Sequence, residues 1–175
     1  IGTWPAERRD AILDLLFDPV RGIGLNLVRY NIGGGKEGSG IPDAWRSAET
    51  PFEPSGVLNW THDAAALSVI DGAVRRGAGV ILFSNSPPSE MTLSGRPTGR
   101  GFQTNLPPDA RQRFAAFLAD CTEALALRWP LVAVSPINEP QWDWQPSKGQ
   151  EGCHWTPEEA AQFARILAKE FSRRS

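Results

Sequence analysis

The chain has 175 residues, of which 41% are hydrophobic and 22% charged, the balance of a packed globular protein with one core or part of one. Its formal charge is −2, and its Lys and Arg residues form no cluster larger than a pair, which argues against nucleic acid and anionic membranes as partners. No apolar run reaches the roughly 18 residues that a membrane span needs.

Helix and strand signals alternate along the first half of the chain. Thr3 as cap and Pro5 near the start predict a first helix, which ends before Asp18-Pro19. Residues 25–30 predict a strand. The loop that follows, residues 32–60, is long enough to indicate a functional segment.

The second half continues the alternation. Thr61 opens a predicted helix that ends near Gly77, and the continuously apolar residues 80–83 predict a strand buried on both faces. A further loop, helix and strand follow in turn over residues 85–106, 107–125 and 131–134. Thr156, Pro157 and Glu159 form the pattern of a capping box and predict the start of the last helix.

This order predicts a parallel sheet covered by helices. Polar residues follow each strand, and we expect them at one edge of the sheet: Arg29, Asn31, Ser84, Asn85, Ser135, Asn138 and Glu139. A closed barrel takes roughly 250 residues, and three strands cannot close one. We therefore predict the α/β class and the N-terminal part of a (β/α)8 TIM barrel, with about three strand-helix units after a leading helix.

Several chemistries lack their motifs. The glycine run 33–35 departs from a phosphate-binding loop at Tyr30 and Glu37, and no Gly-x-Ser-x-Gly elbow is present. His62 and His154 belong to no His-x-x-x-His pair, and Cys121 and Cys153 have no metal spacing. We expect neither a metal nor an organic cofactor.

Glu139 has a setting that supplies a mechanism. It follows the apolar residues 131–134 and lies between Asn138 and Pro140, with Trp142 and Trp144 close behind. Burial between an indole and a sugar ring would raise the pKa of this carboxyl and keep a proton available for a leaving oxygen. The alternative is a polar turn without chemistry. The seven tryptophans suit stacking on sugars, although about half of them are expected to pack in the core.

Four segments together resemble glycoside hydrolase family 30, in particular its branch of endo-β-1,6-galactanase-like enzymes. Asn-Glu-Pro alone is common among barrel glycosidases, and the Gln-Glu-Gly-Cys and Ser-Asn-Ser-Pro-Pro sequences narrow the resemblance. The segments are residues 22–35, residues 83–88 with Met91-Thr92, residues 138–144 and residues 150–159, and the chain departs from the family at Ser89-Glu90, where an aromatic residue is expected.

The resemblance implies a retaining glycosidase in a (β/α)8 barrel, with Glu139 acting first as acid and then as base. It implies that Asn138 binds near the sugar 2-hydroxyl and that Arg29 holds the nucleophile carboxylate. The sugar subsites would be lined by Asn85, Trp142, Trp144 and Trp155. The implied partner is a polysaccharide or oligosaccharide, and the implied location of the parent protein is extracellular.

The second carboxylate of a retaining enzyme lies about 5 to 5.5 Å from the first. Glu151, Asp143 and Glu90 do not occupy the position that the family uses, which is on the seventh strand. We therefore expect residues 1–175 to be a partial catalytic barrel that lacks strand 1 and strands 5–8 and needs the remaining part of the barrel. The isolated chain is expected not to turn over.

Two alternatives stay open. One is a non-catalytic carbohydrate-binding or scaffold barrel that retains the aromatic cleft without cleavage. The other is a different specificity within the same family, such as β-1,6-glucanase, glucosylceramidase-like or xylanase activity.

Overall fold

The computed structural model describes residues 1–174, apart from the side chain of Ala44. In order, the main elements are α1 (Ala6–Phe17), β1 (Leu27–Asn31), α2 (Ala64–Val74), β2 (Gly79–Phe83), α3 (Arg111–Ala126), β3 (Leu131–Ser135) and α4 (Pro157–Ser172). Short 3-10 helices interrupt the loops at Ala44–Arg46, Trp60–Asp63, Ser89–Met91, Pro108–Ala110 and Pro146–Lys148.

The strands form one parallel sheet in the order β1-β2-β3. Asn31 pairs with Phe83 on one side of β2, and Leu82 pairs with Val134 on the other. Parallel neighbours need a crossover, which α2 supplies between β1 and β2 and α3 supplies between β2 and β3. The α/β class with a parallel sheet is therefore confirmed, and the three strands end at the same edge.

The helix starts were predicted with mixed success. Thr156 and Glu159 form the predicted capping box of α4, in which each side chain accepts from the other residue's backbone N–H. Thr3 does not cap α1, because the helix begins after Pro5 and has no side-chain cap. The turn before α2 is capped by the Asn59 side chain, which accepts from the N–H of Thr61 at 3.1 Å.

The main core lies between one face of the sheet and the helices. Val80 and Leu82 of β2 are fully buried and belong to a cluster that includes residues of α3 and α4. The rings of Phe114 and Phe163 stack with centroids 5.1 Å apart and join those two helices. A smaller cluster between α1 and α2 contains Leu13, Phe17, Ala73 and Ala78.

The other face of the sheet is more open than the sequence predicted. Ile81 and Phe83 are only partly buried, and Val132 of β3 is 60% exposed. The prediction that residues 80–83 are buried on both faces is therefore wrong for this chain, because the core packs against the Val80–Leu82 face. Arg29 lies on the open face, with its guanidinium 3.8 Å from the centroid of the Phe83 ring. Within residues 1–174, no helix is long and apolar enough to span a bilayer.

Leu118→Ala tests the packing of α3 on the sheet. Leu118 is fully buried, so truncation should lower the free energy of unfolding by about 2–5 kcal/mol. Leu127→Ala is the matched control, because Leu127 is 93% exposed at the end of the same helix and its truncation should change the value by less than about 0.5 kcal/mol. Urea denaturation measures both, and equal effects would contradict the described core.

Candidate active site at the carboxyl edge of the sheet

Polar side chains from the three strand ends meet at one edge of the sheet. Arg29 Nη2 donates to Asn138 Oδ1 at 3.3 Å, which links the end of β1 to the segment after β3. The backbone N–H of Asn85 donates to Asn31 Oδ1 at 3.3 Å, which links the loop after β2 to β1. The prediction that these clusters face the same side is therefore confirmed.

Glu139 stands on a strained backbone. Its φ is 45°, and no other non-glycine residue among residues 1–174 has a positive φ. The left-handed region is unfavourable for residues with a Cβ, and Pro140 restricts the preceding residue further. Two donors hold the turn by its carbonyl oxygen: the N–H of Trp142 at 3.2 Å and Nε1 of Trp144 at 3.0 Å. Strain of this kind concentrates at functional positions, where the surrounding structure enforces it.

The carboxyl group of Glu139 is exposed rather than enclosed by indoles. Trp142 is 53% exposed and lines the same depression as Glu139, whereas Trp144 is only 4% exposed and donates its indole N–H to the Glu139 carbonyl. Trp144 packs closely against Gly99 and Gly152, so Trp142 is the exposed one of the two indoles that were expected near the acid.

Trp155 does not reach the cleft. It is 3% exposed, and its ring lies 5.1 Å from that of Phe163 in the core. The sequence prediction that Trp155 lines a sugar subsite is not supported by this position, because the chain turns inward at Trp155, two residues before α4 begins at Pro157. Trp155 instead anchors the start of α4.

Five of the seven predicted site residues line two depressions. A cleft of about 220 Å³ is lined by Glu139, Trp142, Asp143, Trp144, Lys148 and Gln150. A cavity of about 730 Å³ beside β1 is lined by Arg29, Asn31, Asn85, Asp63, Gln150, Glu151 and neighbouring residues. Gln150 lines both.

Glu151 is a site residue that sequence reasoning missed. It is 2% exposed, and its carboxylate accepts from Asn31 Nδ2 at 3.0 Å and from the N–H groups of Gly34 and Ala48 at 3.2 and 3.0 Å. All three partners are more than 100 positions away, so no local pattern could have identified them. The available signal was the Gln-Glu-Gly-Cys sequence, which narrows the family resemblance and contains Glu151.

Burial raises the pKa of Glu151 to about 7, while its three donors act in the opposite direction. Between about pH 4.5 and 7 the folded chain therefore retains a proton that the unfolded chain has released. The contribution of Glu151 to stability is complete below pH 4.5 and is lost as the pH rises through 7. Burial also raises the pKa of Asp63 to about 6, even though the Tyr30 hydroxyl donates to it at 2.8 Å.

Residues 1–174 contain no group of three or more His, Cys, Asp or Glu side chains arranged to hold a metal ion. Cys121 and Cys153 are both buried, unpaired thiols. The side chains at the edge of the sheet carry carboxyl, amide, guanidinium and indole groups.

Substitution at Glu139 tests the backbone strain. Glu139→Gly should raise the free energy of unfolding by about 0.5–1 kcal/mol, because glycine adopts a positive φ without the cost that a Cβ adds. Glu139→Gln keeps the Cβ and the strain, so its stability should stay within about 0.5 kcal/mol of the natural chain. Chemical denaturation compares them, and a stability loss in the glycine variant would argue against strain.

Trp144→Phe tests what holds the Glu139 turn. The variant keeps an aromatic ring against Gly152 but loses the Nε1 donor, and we expect it to lower the free energy of unfolding by about 1 kcal/mol. Trp142→Phe alters an exposed ring in the same segment and should change stability by less than about 0.5 kcal/mol. Thermal and urea unfolding of the pair give the comparison, and indistinguishable values would sink the proposed role of the indole N–H.

Comparison with known proteins places this geometry in a family. The profile of O-glycosyl hydrolase family 30 matches residues 1–175. The chain is 30% identical over 173 residues to an endo-β-1,6-galactanase of Hypocrea rufa, and the match covers 87% of this chain and 36% of that protein.

Solved structures share the fold of this chain. A conserved exported protein from Bacteroides fragilis superposes with a TM-score of 0.92 at 28% identity, over 99% of this chain and 38% of that one. An endo-β-1,6-glucanase superposes with a TM-score of 0.72 at 18% identity, over 98% of this chain and 38% of its own, and this shows a shared fold. The chain thus spans less than two fifths of the length of these relatives. Because the family profile matches the whole sequence, the resemblance predicted from the motifs is confirmed, and the chain belongs to O-glycosyl hydrolase family 30.

Proposed function

We propose that this chain carries the acid/base half of a retaining β-glycanase that acts on β-1,6-galactan. The observation that carries the proposal is the strained Glu139 turn at the carboxyl edge of the sheet, beside Asn138 and an exposed indole. Family membership supports the glycosidase chemistry, and the likeness to an endo-β-1,6-galactanase supports the choice of glycan.

In the proposed reaction Glu139 protonates the glycosidic oxygen as the bond to the anomeric carbon breaks, and it later accepts a proton from the attacking water. Asn138 is oriented for a sugar contact, because its Oδ1 is engaged by Arg29 and its Nδ2 is the end that can donate to a hydroxyl. The Trp142 ring offers a flat apolar surface on which the sugar can stack.

The nucleophile is proposed to come from outside residues 1–175. Arg29 is exposed on the open face of the sheet, where a guanidinium can hold a carboxylate that arrives from another strand. We infer that β1, β2 and β3 are three of the eight strands of a (β/α)8 barrel and that the missing strands complete the cleft. The exported relative and the size of a polymeric substrate support an extracellular location.

The binding part of the proposal is tested on the 175-residue chain. Calorimetry with β-1,6-galacto-oligosaccharides should give an affinity that Trp142→Ala weakens by about tenfold, the equivalent of about 1.4 kcal/mol of stacking. Trp4→Ala is the matched control, since Trp4 is 49% exposed and Trp142 53%. β-1,6-Gluco- and β-1,4-xylo-oligosaccharides complete the panel, and tighter binding of either would replace galactan as the substrate.

The catalytic part is tested by hydrolysis. Residues 1–175 alone should show no Glu139-dependent turnover, and turnover would contradict an external nucleophile. In a polypeptide that includes the rest of the barrel, Glu139→Gln should lower kcat/KM on galactan by about 10²–10⁴-fold. The loss should shrink for an aryl glycoside whose leaving group needs no proton.

Glu158→Gln is the control for that experiment, because Glu158 is an exposed carboxylate in the first turn of α4. Its kcat/KM should equal that of the natural sequence. If Glu139→Gln retains full hydrolysis, Glu139 is not the acid. Oligosaccharide binding with no hydrolysis by any longer polypeptide would favour a non-catalytic carbohydrate-binding role.

A further inference from the structure

Glu151 joins segments that follow two different strands. It lies in the loop between β3 and α4, and its carboxylate holds Asn31 at the end of β1 together with Gly34 and Ala48 in the long loop beyond it. Glu151 is 2% exposed and is one of the residues that line the 730 Å³ cavity beside β1. One side chain thus connects the Gln150–Gly152 stretch to the β1 side of the proposed substrate cavity.

Asn31 passes this connection to the loop after β2. Its Nδ2 donates to Glu151 Oε2 at 3.0 Å, and its Oδ1 accepts from the N–H of Asn85 at 3.3 Å. A carboxamide can make both contacts in only one of its two flipped orientations, because one end donates and the other accepts. An ionised Glu151, which can only accept, therefore selects the orientation of Asn31 that holds Asn85.

Protonation of Glu151 changes that selection. Oε1 accepts from two backbone N–H groups that cannot reverse, whereas Oε2 accepts from one side-chain amide that can. A proton on Oε2 is a donor facing the Nδ2 donor of Asn31, and rotation of the amide by about 180° resolves the conflict. The rotated Asn31 then presents Nδ2 to the N–H of Asn85, and that hydrogen bond is lost.

We propose that Glu151 is a proton-linked positioning residue, which through the orientation of Asn31 fixes the backbone of Asn85 at the edge of the substrate cavity. The proposal rests on the proposed function only in taking Asn85 as a sugar contact. When Glu151 is ionised, Asn31 holds the backbone N–H of Asn85. When Glu151 is protonated, that hydrogen bond is lost and the loop after β2 is released.

Other charged groups lie around the cavity, and the experiment must distinguish their effects from the titration of Glu151. Asp63 from the turn before α2 acts on it electrostatically, and Arg29 and Arg46 line the same cavity. Lys36 and Glu49 form an ion pair at 3.7 Å in the loop that carries Gly34 and Ala48. The raised pKa of Glu151, about 7, places its titration near neutral pH, and Asp63 follows at about 6.

The test is an NMR titration of the 175-residue chain from pH 5 to pH 9. The side-chain carboxyl carbon of Glu151 reports its ionisation, and the backbone N–H of Asn85 reports its hydrogen bond to Asn31. The chain of contacts from Glu151 through Asn31 to Asn85 is called the relay. We expect the two signals to share one midpoint, and we expect the amide exchange of Asn85, corrected for intrinsic pH dependence, to accelerate at least tenfold below it.

Glu151→Gln should place the relay in its released state at every pH, because the new amide donates where the carboxylate accepted. Asn85 should then exchange fast with a flat profile. Asp63→Asn removes the second titrating group and should leave the Asn85 transition in place at a somewhat lower midpoint. Glu139→Gln, which removes the proposed acid, should retain the whole profile, so that failure of the proposed function is distinguishable from failure of the relay.

Two results would overturn the proposal: an Asn85 amide that does not follow the Glu151 titration in the natural chain, or a Glu151→Gln variant that keeps the natural profile. If Glu151→Gln does not fold, the titration of the natural chain decides alone. A residue with only a structural role would alter stability without moving the Asn85 midpoint, which separates positioning from packing.

Discussion

The parallel pairing of β1, β2 and β3 is the constraint on which the rest of this molecule depends. Parallel strands run in the same direction and end at the same edge of the sheet. Each connection between them must therefore cross back over the sheet, which α2 and α3 do here. The burial of Val80 and Leu82 against α3 and α4 holds that arrangement. The fold therefore brings the polar groups that follow the three strands to one edge of the sheet.

Two glutamates at that edge are placed in opposite ways. Glu139 is exposed on a backbone that the local structure strains, as suits the proton donor proposed above. Glu151 is buried, ordered by three donors, and carries a pKa raised by desolvation to about 7. Two chemically identical side chains thus differ because their environments differ. Glu139 is presented to solvent, and Glu151 accepts hydrogen bonds from the loops around it.

Much of the fold could be predicted because its signals are local. The capping box at Thr156 and the apolar run at residues 80–83 both specify elements within a few residues, and both elements are present. The predictions failed where neighbours in space decide. Thr3 does not cap α1, because that helix begins at Ala6, directly after Pro5. The second face of the sheet is partly open, because no helix of the described chain packs on it.

For the site, the sequence by itself determined the family, the glutamate after β3 and the clustering of polar residues at the strand ends, since motif order and strand direction are properties of the chain. Only the tertiary structure decided which tryptophans face the cleft and which are core. It also decided that Glu151 is buried among Asn31, Gly34 and Ala48, which are more than 100 positions away. The physical reason is that burial and hydrogen bonding depend on distant segments meeting, and no spacing within one segment records that meeting.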